Sequence, residues 1–167
     1  MGVKEHKKQA PKTLTLGIIT MSSTRTIEND ESGAWMIKRA KKEGHTVVSH
    51  LVTPDHDEDI RKSIRDTIRE NDPDFLLLTG GTGIADSDVT IEAVTPMFRK
   101  ELSSFAPVFA QLSLAQIDSA AIISRSTAGI INNTLVFCLP GSLKACKLAC
   151  KALIFPEVSH LVKHIRE

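Results

Sequence analysis

Tyrosine is absent from this 167-residue chain, tryptophan occurs once and phenylalanine six times. So few flat rings argue against the stacked platforms on which single-stranded nucleic acid lies. An excess of charge is lacking too. Against 21 basic residues stand 20 acidic ones, so no overall basic field draws the chain to a nucleic acid polymer or an anionic membrane. No apolar run approaches the roughly 20 residues of a bilayer span. The opening stretch MGVKEHKKQAPK is charged with no apolar segment behind it, unlike a signal peptide, and His6 stands where a myristoylation signal has Ser or Thr. The three cysteines form no Cys-x-x-Cys pair, which fits a reducing, cytoplasmic setting better than a disulfide framework. Cys146 and Cys150, four apart on an expected helix, could share a metal. The competing reading makes them small hydrophobes, and Cys138 sits in an apolar run of its own.

What is present is a repeating α/β pattern. The length fits one domain, expected over residues 13–167 behind a flexible basic tail at 1–12. TLTLGIITM (13–21), TVVSHLV (46–52) and DFLLLT (74–79) read as strands, the first and third apolar enough to be buried on both faces. Between them, SGAWMIKRAKKEG suggests a helix with Ser32 as N-cap and Gly44 just past its end. DEDIRKSIRDTIREN places Ile60, Ile64 and Ile68 on one helical face. Strand alternating with helix predicts parallel pairing in a three-layer α/β sandwich of Rossmann-like topology, mostly parallel with helices on both faces. The second half is less regular. Pro96 is expected to open a helix, 105–117 and 120–126 to be helical, and Leu135–Leu139 to form a strand. Two further helices should follow, the last carrying Val158, Leu161, Val162 and Ile165 on one side.

Two strands run into loops stripped of side chains. Thr79-Gly80-Gly81-Thr82-Gly83 and Pro140-Gly141-Ser142 both fall at strand carboxyl ends, where open parallel sheets bind ligands. Glycines let backbone amides converge on an anion, Thr79 and Thr82 add hydroxyls, and Ser142 opens a helix. No Lys-Ser/Thr pair follows the glycines, so this is no P-loop, and Asp86 displaces the dinucleotide fingerprint. Asp86 and Asp88 would repel a phosphate unless a cation sits between. Mg²⁺ suits one or two carboxylates plus phosphate oxygens. The plainer alternative is that either aspartate caps the helix VTIEAV. Asp55 and Asp57 follow the second strand as a solvated helix start, though topology brings Asp55 near the glycine loop. His56, His160 and His164 read as surface residues.

Together, TRTIENDESG, LLLTGGTGIADSDVTIEAV, ELSSFAPVFAQLSLAQI and SRSTAGIINNTLVFCLPGS resemble the MoaB/MogA family of molybdenum cofactor biosynthesis proteins, on the MoaB side. The resemblance covers nearly the whole chain from Thr13. It implies a MogA-like fold and an activity: adenylyl transfer from ATP, with Mg²⁺, to the phosphate of molybdopterin, releasing pyrophosphate. It implies Asp88 and Asp55 as metal-site and catalytic residues. Residues 79–83 with Pro140, Gly141 and Ser142 would hold the phosphate-bearing ligands. A homotrimer or homohexamer is implied as well, with APVFAQLSLAQI as the candidate interface or else plain core. Two departures stand out: Ser22-Ser23 where many active members carry Ser-Asp, and Ile91 where Pro is common. Some members bind the pterin without turnover, so a non-catalytic molybdopterin-binding or delivery protein is the alternative, and an unrelated nucleotide-binding domain a distant third.

Overall fold

The computed structural model describes residues 10–167, so most of the expected tail, residues 1–9, lies outside the described residues. Strand β1 (Thr15–Met21) leads through a 3-10 turn, Ile27–Asn29, into helix α1 (Glu31–Lys42). The cap of α1 is Asp30 rather than Ser32. Its Oδ1 accepts the Gly33 amide at 3.0 Å, which leaves Ser32, two positions further on in the first turn, to donate to the Gly141 carbonyl at 3.2 Å. Gly44 ends the turn with φ 85, as its place past the helix requires. Strand β2 (Thr46–Thr53), helix α2 (Asp57–Asn71) and strand β3 (Phe75–Thr79) follow, and Ile60, Ile64 and Ile68 are all buried.

Then come helix α3 (Thr90–Val94), β4 (Lys100–Glu101), α4 (Phe105–Ile117), β5 (Thr127–Ile131), β6 (Thr134–Leu139), α5 (Leu143–Ala149) and α6 (Phe155–Arg166). The six strands form one sheet in the order β2-β1-β3-β6-β5-β4. The first four are mutually parallel, and β5 and β4 run antiparallel beyond them. Alternate residues of the strands feed two cores. Ile18, Leu77, Leu135 and Phe137 pack with α1, α4, α5 and α6. Ile19, Leu76, Leu78 and Val136 pack with α2 and α3. This is the expected mostly parallel sandwich with helices on both faces.

The irregular half departs from expectation in four places. No helix starts at Pro96: Thr95–Met97 makes one 3-10 turn, then Phe98 extends and the Arg99 amide joins the Ile130 carbonyl at 2.8 Å, starting the sheet edge. The stretch 120–126 is not an α-helix. Asp118, at φ 51, breaks α4, a 3-10 turn runs to Ile123, and strand β5, unforeseen, pairs with β6 across Asn132-Asn133. The two final helices are one body joined by a π-helical turn, Cys150–Ile154, just before Pro156, whose missing N–H disrupts regular α pairing there. Finally, Phe105–Ile123 is a helical stretch long and apolar enough to cross a membrane, contrary to the reading of the bare sequence. Phe105, Phe109 and Ser113 are nonetheless buried on the protein side, and the break at Asp118 divides the stretch.

The cysteines are core residues. Cys146 and Cys150 share the larger core and Cys138 lies in the other. Burial pushes all three thiols up, away from the thiolate a metal needs.

Candidate anion and metal site

The chain path creates the site. From β1 the sheet grows first to β2 on one side and then to β3 on the other, so the loops leaving β1 and β3 diverge. Between them, roofed by the end of α4 and the turn after it, opens a cleft of about 550 Å³. Ser22, Thr24 and Arg25 line it from the loop after β1, and Asp55 from the loop after β2. Residues 80–83, Ser87 and Asp88 come from the loop after β3, and Pro140 and Gly141 from the end of β6. Ile117, Ala120 and Ile123 make its apolar rim. The two loops and the two aspartates that the resemblance singles out therefore meet in one place.

Gly80 and Gly81 have φ 99 and 61, a region side chains rarely enter. A Cβ on Gly80 would fall on the Met21 carbonyl and one on Gly81 on the Thr90 hydroxyl. These two glycines are thus demanded by packing behind the loop, beyond any approach of a ligand in front of it. The Gly80 carbonyl accepts the Thr90 hydroxyl at 2.8 Å and the Gly81 carbonyl the Thr90 amide at 2.9 Å. Arg125 Nε donates to the carbonyls of Thr82 and Gly83 at 3.0 and 2.9 Å. The amides of residues 81–84 reach no acceptor among the described residues.

The carboxylates are each held by one oxygen. Asp55 Oδ2 accepts the Ser23 amide at 2.8 Å and the Ser23 hydroxyl at 3.1 Å. Asp88 Oδ2 accepts the Ala85 amide at 2.9 Å, with the carboxylate lying against Gly83. The other oxygen of each has no donor among the described residues. Two hard carboxylate oxygens beside a loop of unpartnered amides are donors of the kind Mg²⁺ takes, the rest of its shell coming from phosphate and water. No group of three metal-binding side chains occurs among the described residues, so such an ion would depend on its ligand for the remaining donors.

Other expectations are redistributed. Asp86 is exposed and outside the cleft lining, and α3 is capped by Val89 without a side-chain bond, so neither aspartate serves that helix as N-cap. Thr79 is 0% exposed and its hydroxyl donates to the Pro140 carbonyl at 2.9 Å, tying the two loops together rather than facing a ligand. Ser142 caps α5, accepting the Ala145 amide at 3.2 Å, and does not line the cleft. Asp57 pairs with Arg61 along α2 and His56 is exposed. His160 and His164 face each other on α6, Nε2 to Nε2 at 3.0 Å, and do not line the cleft.

Three further residues, without a motif of their own, shape the site and its surroundings. Arg25 lines the cleft and donates to the Gly141 carbonyl at 3.2 Å. Arg125 pairs with Glu92 at 2.5 Å, which lowers the Glu92 carboxyl and raises the guanidinium. Asp30 is 1% exposed and accepts Thr20 Oγ1 at 2.6 Å, the Gly33 amide and His50 Nε2 at 2.9 Å. Burial alone would raise its carboxyl, but the bonds from Thr20, Gly33 and His50 outweigh that and hold it below the ordinary value of 3.8. Apart from the Asp30 cap on Gly33, their partners are backbone carbonyls or side chains on other elements, which no local spacing marks.

Residues 17–160 match a family model described as a probable molybdopterin binding domain. Molybdenum cofactor biosynthesis protein B of Bacillus subtilis strain 168 is 46% identical over 168 residues, covering 100% of this chain and 99% of that protein. A Pyrococcus furiosus protein named molybdopterin adenylyltransferase is 40% identical over 173 residues, covering all of both chains. A crystal structure of a molybdenum cofactor biosynthesis protein B superposes with a TM-score of 0.91 at 40% identity, over 95% of this chain and 99% of the other.

Proposed function

This chain belongs to the MoaB/MogA family of molybdenum cofactor biosynthesis proteins, on the MoaB side, and from that premise we propose that it is a molybdopterin adenylyltransferase. An oxygen of the molybdopterin phosphate attacks the α-phosphorus of ATP. The bond from that phosphorus to its bridging oxygen breaks, and pyrophosphate leaves with the electron pair. Two anions must be brought together, so the protein's task is positioning and charge cancellation.

The observation that carries this reading is the convergence, in one cleft, of unpartnered loop amides with two half-free aspartates. The amides of residues 81–84 hold phosphate oxygens. Arg25, at the cleft wall, adds positive charge beside Gly141. Pro140 and Gly141 shape the opposite side. Asp55 and Asp88 would hold Mg²⁺, which when bound neutralises phosphate charge. Ser23 fixes Asp55 by two bonds to one oxygen and leaves the other for the ion. The 40% identical relative named molybdopterin adenylyltransferase supports the same reaction.

A second reading, pterin binding without turnover, draws on one feature. The hydroxyl of Ser23, where many active relatives of the family carry an aspartate, engages Asp55 itself, so the site holds one carboxylate fewer. The decisive experiment is incubation of the purified protein with molybdopterin, ATP and Mg²⁺, followed by chromatography for adenylylated pterin. Product from the native chain but not from Asp88→Ala supports the transferase. Tight pterin binding with no product at any Mg²⁺ concentration defeats it in favour of the second reading. Assembly as a homotrimer or homohexamer is proposed as well, through the apolar side chains that α4 and the following turn leave exposed: Val108, Leu114, Ile117, Ile122 and Ile123.

A further inference from the structure

The four carbonyls from Gly80 to Gly83 are all claimed by residues outside the cleft lining. Thr90 takes the first two, through its hydroxyl and its amide, and Arg125 takes the second two through Nε–H. Neither Thr90 nor Arg125 lines the cleft, whereas residues 80–83 do. The described residues contain no cis peptide. In a trans peptide the carbonyl of one residue points opposite to the amide of the next. Pulling the carbonyls of residues 80–83 toward Thr90 and Arg125 therefore turns the amides of 81–84 the other way, and those are the amides that reach no acceptor among the described residues. We infer that Arg125 is a positioning residue of the phosphate cradle: it aims the amides of Gly83 and Ile84 as Thr90 aims those of Gly81 and Thr82.

Glu92 completes the device. It grips the guanidinium by both terminal nitrogens, at 2.5 and 3.2 Å, leaving Nε–H for the loop, and the second nitrogen also lies 3.4 Å from the Asp88 carbonyl. The arginine's charge is answered by Glu92, so its contribution to anion binding is to orient peptide dipoles rather than to meet the ligand. Lysine cannot replace it, since one ammonium lacks the planar fork that spans two carbonyls and a carboxylate.

This inference rests on the reading of the loop as a phosphate cradle, and its test separates the two. Inorganic pyrophosphate is titrated into the full chain without pterin, followed by calorimetry and by amide NMR shifts, for the native protein, Arg125→Lys and Glu92→Gln. In the native protein the resonances of residues 81–84 move together. In Arg125→Lys pyrophosphate binds about tenfold more weakly. The responses of Gly83 and Ile84 collapse while those of Gly81 and Thr82 persist. Glu92→Gln gives the same pattern at smaller size and serves as the test should Arg125→Lys not fold. Unchanged affinity with four intact responses in a folded variant, or an equal loss across all four, overturns the positioning role. Native resonances that never move overturn the cradle itself.

Discussion

The loop after β1 and the loop after β3 leave the same edge of the sheet, and each carries an aspartate close to the cleft. Asp30, in the first, is sealed in, with Thr20, Gly33 and His50 bonded to it. Asp88, in the second, is half-buried, held by the Ala85 amide through one oxygen and open at the other. The residue type is identical and the surroundings set opposite uses. A carboxylate whose acceptor capacity is filled by protein fixes architecture; one left half satisfied at a cleft can serve a cation.

The contrast breaks first at Asp88. Asp88→Asn should reduce adenylyl transfer at least about a hundredfold, because the amide keeps the bond to Ala85 but surrenders the charge that would hold Mg²⁺. The unfolding midpoint should barely move. Steady-state assays beside a urea titration check both halves. Asp30→Ala should behave in the opposite way and lose about 2–4 kcal/mol of stability, from a missing helix cap and stranded Thr20 and His50 groups. A folded Asp30→Ala protein of native stability would erase the distinction.

Acid sharpens it next. Because the folded-state carboxyl of Asp30 is depressed below 3.8, its stabilisation is present above that ordinary value and is lost as pH falls through the lower folded one. The stability gap between native protein and Asp30→Asn should therefore hold down to about pH 4 and close below it, as read from denaturation midpoints at stepped pH. The smallest effect belongs to Asp86, exposed and outside the cleft lining. Asp86→Ala should leave turnover within about twofold and stability within about 0.5 kcal/mol of native.

The regular half of the fold was legible because local and tertiary demands agree there. Apolar strands are buried on both faces, and the isoleucines of α2 repeat every four residues onto one core. The rest failed for identifiable reasons. Strand β5 is five residues with a central glycine and closes on an Asn-Asn turn, where Asn132 supplies φ 53 without the glycine that normally advertises a hairpin. Pro96 and Asp118 end helices for reasons of backbone and sheet pairing that no period encodes. At the site, the loops and the two aspartates that line the cleft, Asp55 and Asp88, could be named from motif and resemblance. Their bonding could not. Thr79 and Ser142 serve the scaffold, and Arg25, Asp30 and Arg125 each reach at least one partner between 10 and 116 residues away in sequence.

The place of β6 in the sheet has a consequence during synthesis. It lies between β3 and β5, so β3 lacks its second neighbour until the ribosome has released the chain past Leu139. Until then Phe75–Thr79, five residues buried on both sides in the finished protein, stands as an unpaired apolar edge. Such an edge recruits other nascent strands. Between emergence of residue 79 and of residue 139 that edge has no partner strand within the chain, and slowing synthesis there should increase aggregation of the nascent protein.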